Sequence, residues 1–219
     1  MKIYVIGNSK NQFLPSNNIR ERFYVDQPHE GDNIDYLNPW FCELTGLYYI
    51  WKHATDNIIG LEHYRRCFLS NNSNQLLNET EINDLLQKHD ILAAKAEYSK
   101  IRPAKTWLIQ NGKMNEVEKF VAFSKVYVGD DYYNKCWDIL NGEYHCLGNM
   151  FICKKELIDE YCKFIFDVFE KYILAESKCK RKIPPRIIGY FAEFLFAAWL
   201  ELHDKKIGWQ KYLVNKSLR

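Results

Sequence analysis

Short apolar segments alternate with amphipathic ones along this chain, and this alternation is the feature that most restricts its fold. Apolar runs occur at residues 2–7, 57–61, 90–94 and 147–153. Between them, apolar residues recur at three- and four-residue spacing, as in the segment that begins at Pro39 and in residues 154–172. That spacing predicts helices. Strands that alternate with helices predict an α/β fold, with a mixed, mainly parallel sheet flanked by helices.

The chain has 219 residues, enough to bury a substantial core. We find no linker-like stretch and no internal repeat, so we predict a single domain over residues 1–219. There are 30 Lys and Arg residues against 28 Asp and Glu residues, a formal charge of +2. A nearly balanced charge argues against a general nucleic-acid-binding protein.

The seven cysteines form no Cys-x-x-Cys pair and no zinc-binding spacing. Several lie within apolar stretches, which favours reduced thiols in a reducing compartment. The N-terminal segment lacks the pattern of a signal peptide, and no apolar run is long enough to span a membrane. We therefore expect a cytoplasmic protein.

In open α/β sheets, ligands bind at the carboxyl ends of the strands. This rule singles out the residues after the first strand, up to Lys10, those around Asn149, and the string Glu62-His63-Tyr64-Arg65-Arg66. The two arginines of that string match the geometry of phosphate oxygens. The alternative is a structural ion-pair network in which Glu62 pairs with an arginine.

A second polar cluster contains Asp32, Asn33 and Asn38, in a stretch rich in Pro, Gly, Asp and Asn. Carboxylate and amide groups suit the hydroxyls of a ribose or a sugar and the edge of a uracil. The same residues are also ordinary turn formers, so a purely structural turn is the alternative.

Two further segments could contact a sugar. Asn149 follows His145 and Gly148 at the start of a strand, where glycine allows close backbone approach. Glu193 lies early in an otherwise apolar helix, after Arg186. A carboxylate in such a place is a candidate general base, although a structural pair with Arg186 is the alternative.

A basic run extends from Lys178 to Lys182 and is followed by Ile183 and two prolines. It suits either a solvated loop or a contact with anionic lipid headgroups or a lipid-linked acceptor. The sequence leaves both interpretations open.

The order of these motifs resembles that of small bacterial capsular and exopolysaccharide glycosyltransferases, many of which are described only as a domain of unknown function. The resemblance runs from about Gly31 to Leu200, and its most distinctive strings are residues 63–66 (HYRR) and 148–152 (GNMFI). The chain differs from the family where members often carry a His-Lys pair after the first strand. Residues 95–127, where acceptor specificity is expected, also match poorly.

The resemblance implies a GT-A-like (Rossmann-like) fold. It also implies transfer of a sugar, galactofuranose or another hexose, from a UDP-sugar to a glycan or lipid-linked oligosaccharide. The product would belong to capsule, exopolysaccharide or lipopolysaccharide synthesis. We expect Glu193 to act as the base of an inverting reaction, and Arg65 and Arg66 to stabilise the leaving diphosphate. The residues expected to bind the donor are Lys10, Asp32, Asn33, Asn38, Glu62 and His63, and those expected to bind the acceptor or sugar are His145, Asn149 and Arg186.

No Asp-x-Asp motif follows any of the predicted strands. We therefore expect no obligatory cofactor, with Mn²⁺ or Mg²⁺ held by Glu62 as the alternative. Besides the donor and the acceptor, the expected partner is the inner face of the membrane, contacted through Lys178 to Lys182. Two rival functions are a non-catalytic carbohydrate- or nucleotide-binding module and a hydrolase that uses Glu62 and Glu193 as its carboxylate pair.

Overall fold

The computed structural model describes residues 1–14, 16–95, 97–98, 104–142, 144–145 and 148–215, without the side chains of residues 97, 98, 104, 107, 144 and 145. The strands in this part of the chain are β1 (Lys2–Gly7), β2 (Arg20–Tyr24), β3 (Ile58–His63), β4 (Arg66–Phe68), β5 (Ile91–Ala94), β6 (Glu97–Tyr98), β7 (Tyr144–His145), β8 (Phe151–Lys154), β9 (Ile207–Gln210) and β10 (Tyr212–Val214). The helices are α1 (Asn38–Phe41), α2 (Glu43–His53), α3 (Glu79–Leu86), α4 (Ala104–Gln110), α5 (Met114–Tyr127), α6 (Asp130–Asn141), α7 (Lys155–Lys178) and α8 (Ile187–Leu202).

Eight of these strands form one open sheet, in which β2, β1, β3, β8, β5 and β9 lie side by side and β4 and β10 extend it next to β3. The pairs β1/β2, β1/β3 and β5/β9 are parallel. Strand β8 is antiparallel to both of its neighbours, β3 and β5. The predicted α/β class, with a mixed, mainly parallel sheet flanked by helices, is confirmed.

The central strands are apolar on both faces because both faces are covered. On one face, Leu61 and Phe151 pack in a large core with α2 and α5 to α8. On the other face, Ile3 and Ile152 pack in a smaller core with α3. Side chains alternate between these two cores along each strand.

The helix predicted to begin at Pro39 is broken in two at Cys42. The backbone of Cys42 has φ 53° and ψ −123°, which no helix can contain, so α1 ends before it and α2 begins after it. Asn38 is the first residue of α1, and no side chain caps that helix. The break places Glu43 in the first turn of α2.

Candidate functional site

The three segments singled out by the carboxyl-end rule meet at one edge of the sheet. Strands β1 and β3 run parallel with Ile6 opposite His63, so both end at this edge. Strand β8 runs the other way, with Phe151 opposite Leu61, so the residues just before β8 arrive at the same edge. Gly7 is required here, because a Cβ atom at this position would lie 2.8 Å from the Phe13 ring and 2.9 Å from Cβ of Tyr64.

Glu62 points away from this edge, into the smaller core. Arg20 donates to both of its carboxylate oxygens, at 2.8 and 2.9 Å. The backbone N–H of Phe68 donates to the same carboxylate at 2.9 Å. Both charged side chains are almost fully buried. The carboxylate is therefore already bound on this face of the sheet and does not join the residues that meet at the edge, and a role for Glu62 in binding the donor or a metal ion stays a prediction. The ion-pair alternative holds, with the distant Arg20 rather than a neighbouring arginine as partner.

His63 and Arg66 project from the other face of the sheet, where α2 and α8 lie. His63 follows Glu62 and so points to the opposite face, and Arg66 is its antiparallel partner on β4. A Cβ atom on Gly148 would lie 3.5 Å from an Nη atom of Arg66, which locates that guanidinium at the start of β8. Burial and the charges of Arg66 and Arg65 lower the pKa of His63 to about 3, so its imidazole is neutral at physiological pH.

Two carboxylates approach Arg66 from the helices. Glu193 comes from α8 and Glu43 from the first turn of α2, and these helices meet where Gly189 packs against Cys42. Burial and the nearby charge of Glu43 raise the pKa of Glu193 to about 8, against the opposing influence of Arg66 and Arg186. Burial likewise raises the pKa of Glu43. Both residues are partly exposed, although burial dominates the surroundings of their carboxylates.

These charged groups are close enough to influence one another, yet they form no ion pair. Within the described residues, no salt bridge or hydrogen bond engages the side chain of Glu193. The structural pair with Arg186 is therefore not formed. We call Glu43, His63, Arg66, Asn149, Arg186 and Glu193 the edge cluster.

Buried polar atoms around the edge cluster lack hydrogen-bond partners. The amide of Asn149 makes no well-formed hydrogen bond although the residue is only 1% exposed, and it lies near enough to the Glu43 carboxylate to oppose the rise of that pKa. Nε2 of His63 is buried and unpartnered as well. Such groups cost free energy unless a ligand satisfies them. Asn149 also adopts a left-handed φ of 44°, a strained conformation of the kind that concentrates at functional sites.

The loop that contains Asp32 and Asn33 does not join the edge cluster. Asp32 accepts a hydrogen bond from Tyr48 at 3.0 Å and lies 3.7 Å from Nζ of Lys52. Lys52 lies nine residues beyond Glu43, about 13 Å along α2. Asn33 donates to the carbonyls of His29 and Gly31. These contacts are those of a structural turn, which was the alternative interpretation.

The other residues that the sequence predicts for the site lie in different parts of the structure. Lys10 is exposed in the turn after β1, at the same edge as the cluster. Arg65 is partly exposed in the β3–β4 turn, with its guanidinium carbon 5.8 Å from the centre of the Tyr64 ring. Asn38 is partly buried at the start of α1. The side chain of His145 lies outside the described residues, although its backbone pairs with Glu97.

The edge cluster combines groups that can exchange protons with groups that can neutralise negative charge. Glu193 titrates near physiological pH, as a general acid or base should. Arg66 and Arg186 are cations that can bind phosphate oxygens. Within the described residues, no group of three or more His, Cys, Asp or Glu side chains is arranged to hold a metal ion.

Comparison with known proteins identifies the family. A family model described as a domain of unknown function, DUF4422, matches residues 4–205. The chain belongs to the DUF4422 family. No curated protein matches this DUF4422 chain.

Among solved structures, the DUF4422 chain is similar to the apo form of WbbM, a bifunctional glycosyltransferase, with a TM-score of 0.71 and 18% sequence identity. The match covers 98% of this chain and 45% of WbbM, so the chain spans somewhat less than half the length of that protein. The fold of this DUF4422 chain is thus one that a glycosyltransferase uses. In the described residues, no helix is both long and apolar enough to cross a membrane.

The sequence interpretation missed Glu43 as a member of the site. Its signal was present in the string Cys42-Glu43-Leu44-Thr45, which we treated as part of a continuous amphipathic helix. An acidic residue at a helix start is usually explained by the helix dipole. Only the break at Cys42 shows that this DUF4422 chain directs the carboxylate towards Glu193.

Proposed function

We propose that this chain is a glycosyltransferase that moves a hexose from a UDP-sugar to a glycan acceptor with inversion at the anomeric carbon. The observation that carries the proposal is Glu193, an unpaired carboxylate with a pKa raised to about 8, held beside Arg66 at the ligand-binding edge of the sheet. The likeness of the fold to a glycosyltransferase supports the same class of reaction.

The chemistry requires one base and one site of positive charge. The carboxylate of Glu193 takes the proton of an acceptor hydroxyl while that oxygen attacks the anomeric carbon. The bond between this carbon and the diphosphate oxygen breaks, and UDP leaves with both electrons of the bond. Arg66, with Arg65 from the adjacent turn, stabilises the negative charge that develops on the diphosphate.

The charge of Glu43 matters to this base. A nearby carboxylate raises the pKa of Glu193, so the base holds a proton more strongly once it has taken one. The two carboxylates titrate as a coupled pair. We propose that Glu43 acts through Glu193 in this way and does not contact the acceptor hydroxyl.

We propose a donor side and an acceptor side from the positions of the residues at this edge. Lys10 and neutral His63 flank the edge on the donor side, while Asn149 and Arg186 would meet the transferred or acceptor sugar, together with His145 from the sequence. The unpartnered amide of Asn149 supports a hydrogen bond to a sugar hydroxyl. Galactofuranose is the sugar that the family resemblance suggests. A capsular, exopolysaccharide or lipopolysaccharide glycan, in free or lipid-linked form, is the acceptor it suggests, in the cytoplasm.

The two rival functions are less well supported. The carboxylate pair first suggested for a hydrolase contained Glu62, which is bound to Arg20 on the opposite face of the sheet. A non-catalytic module has no need of an unpaired carboxylate whose pKa is shifted into the physiological range.

A donor screen tests the proposal. The protein is incubated with uridine, guanosine and adenosine diphosphate sugars, and thermal shift, nucleoside diphosphate release and transfer to glycan acceptors are measured with and without EDTA. Uridine diphosphate at about 100 times its dissociation constant should stabilise the protein by about 2.7 kcal/mol.

Binding of donor without release of UDP in the presence of any acceptor would favour the module. Release of UDP without transfer, or cleavage of a glycan, would favour hydrolysis. No stabilisation by any uridine nucleotide would refute the donor assignment.

A further inference from the structure

An apolar groove lies on the helical surface. One part, of about 630 Å³, lies between α2 and α7. A second part, of about 420 Å³, continues it to the start of α8 and shares Leu37, Phe41 and Ile173 with the first. Tyr36 and Leu174 at this groove are 74% and 52% exposed. Large apolar side chains exposed side by side indicate a contact surface.

The basic run identified in the sequence borders the second part of this groove. Lys182 and Ile183 line it beside Trp40, whose indole N–H donates to the carbonyl of Ile183 at 2.9 Å. Leu174 lies one helical turn before Lys178 on α7, so the exposed apolar residues and the lysines adjoin. We call Tyr36, Leu37, Trp40, Ile173, Leu174, Ile183, Lys178, Lys180 and Lys182 the apolar–basic patch.

The local structure of the basic run leaves its lysines free. Arg181 makes two hydrogen bonds to Glu176, at 2.9 and 2.6 Å, and so anchors the run to the end of α7. The left-handed φ of 52° at Lys180 turns the chain there. Lys178, Lys180 and Lys182 are exposed, and no described carboxylate lies within 4.0 Å of their ammonium groups.

We propose that the apolar–basic patch docks the protein on the surface of a bilayer that contains anionic lipids. Aromatic and aliphatic side chains beside several lysines form the combination that binds such a surface, because the apolar groups enter the headgroup region and the lysines attract the negative charge. The opposite end of the groove carries Lys163, Asp167 and Glu170. That mixed charge limits the lipid contact to the end near Ile183.

Charge complementarity favours the bilayer over a second copy of the chain. The three free lysines need a negatively charged partner, and an anionic bilayer offers one along its whole area. A two-fold dimer would have to bring the lysines of one copy onto carboxylates of the other. Asp167, a carboxylate of the groove, is already bonded to Lys171 at 2.6 Å.

Vesicle flotation tests the proposal on the full chain without donor or acceptor, so its result is independent of the proposed transferase activity. Phosphatidylglycerol-containing vesicles are compared with pure phosphatidylcholine vesicles, at about 0.1 M and about 1 M salt, between which the Debye length falls from about 10 Å to about 3 Å. We expect binding to the anionic vesicles that high salt weakens. Lys180→Glu with Lys182→Glu should lower the partition coefficient at least tenfold. Tyr36→Ser with Leu174→Ser should lower the binding that remains at high salt.

Matched controls are Lys88→Glu and Val126→Ser, at an exposed lysine and a 76% exposed valine outside the patch. Both should bind vesicles like the unmodified protein. The proposal is overturned if anionic vesicles do not bind at low salt, or if the patch variants bind as well as the controls. It is also overturned if sedimentation shows a dimer that the patch variants dissociate.

Discussion

Glu62 and Glu193 are both carboxylates near the end of β3, but on opposite faces of the sheet they have opposite surroundings. Glu62 accepts three hydrogen bonds from Arg20 and Phe68 and is fully buried. Glu193 has no hydrogen bond or ion pair among the described residues, keeps contact with solvent, and has its pKa raised to about 8. The comparison teaches that a satisfied charge maintains the fold, while an unsatisfied one is available for chemistry.

The sharpest test of this comparison makes the same substitution at both sites. Glu193→Gln keeps the shape of the side chain but removes proton acceptance. We expect the transfer rate to fall by about 10²–10⁴, with little change in donor affinity and no loss of thermal stability. Turnover, donor binding and thermal unfolding are measured on the same preparation. An active Glu193→Gln protein would remove Glu193 from the catalytic assignment.

Glu62→Gln should have the opposite outcome. It leaves Arg20 charged and buried without its anionic partner, which typically costs about 3–5 kcal/mol. We expect a large loss in the free energy of unfolding, measured by urea denaturation, while the protein that remains folded keeps its turnover. A stable but inactive variant would show that Glu62 has a role at the site after all.

The location of the candidate site could be predicted from the sequence, but the set of residues that meet there could not. The polar residues at 62–66 follow an apolar strand, and that order is enough to place them at the ligand edge. The sequence does not show which residue pairs with Glu62, because Arg20 is 42 residues away along the chain. Glu43 was missed because a non-glycine residue with positive φ breaks the helix at Cys42, and nothing in local propensity indicates it.

Strand β9 shows the same limit for the fold. Ile207–Gln210 is a short segment with one polar end, and it becomes a strand because it pairs with β5, more than a hundred residues earlier. Tertiary contacts, rather than local preference, decide such short strands. The sequence does predict the long amphipathic helices and the buried strands β1, β3 and β5, because the pattern of apolar residues in each is strong enough on its own.

The two arginines of the β3–β4 turn extend the comparison. Arg66 influences Glu43, Glu193 and His63, whereas Arg65 influences His63 less strongly than Arg66 does and lies against the Tyr64 ring. Arg66→Ala should therefore lower the transfer rate by about 10²–10³, and Arg65→Ala by about tenfold or less. Both are checked by steady-state kinetics with melting temperatures as the folding control. Equal losses, or early melting of Arg66→Ala with normal turnover, would contradict the assignment.

Taken per pH unit, the smallest expected effect on stability is the pH dependence that Glu193 contributes. Its pKa is raised from 4.5 to about 8 in the folded protein, so between these values the folded state binds more protons than the unfolded state. Stability from this group is therefore complete below about pH 4.5 and is lost as the pH rises through about 8, with a slope of at most about 1.4 kcal/mol per pH unit.

Glu193→Gln cannot ionise, so its unfolding free energy should lack this slope, and above pH 8 it should equal or exceed that of the unmodified protein. Glu62→Gln should keep the slope, because Glu193 is intact there. Urea denaturation of the three proteins from pH 5 to about pH 9 measures the difference directly. Parallel curves for Glu193→Gln and the unmodified protein would mean that Glu193 is ionised at neutral pH like an ordinary surface carboxylate.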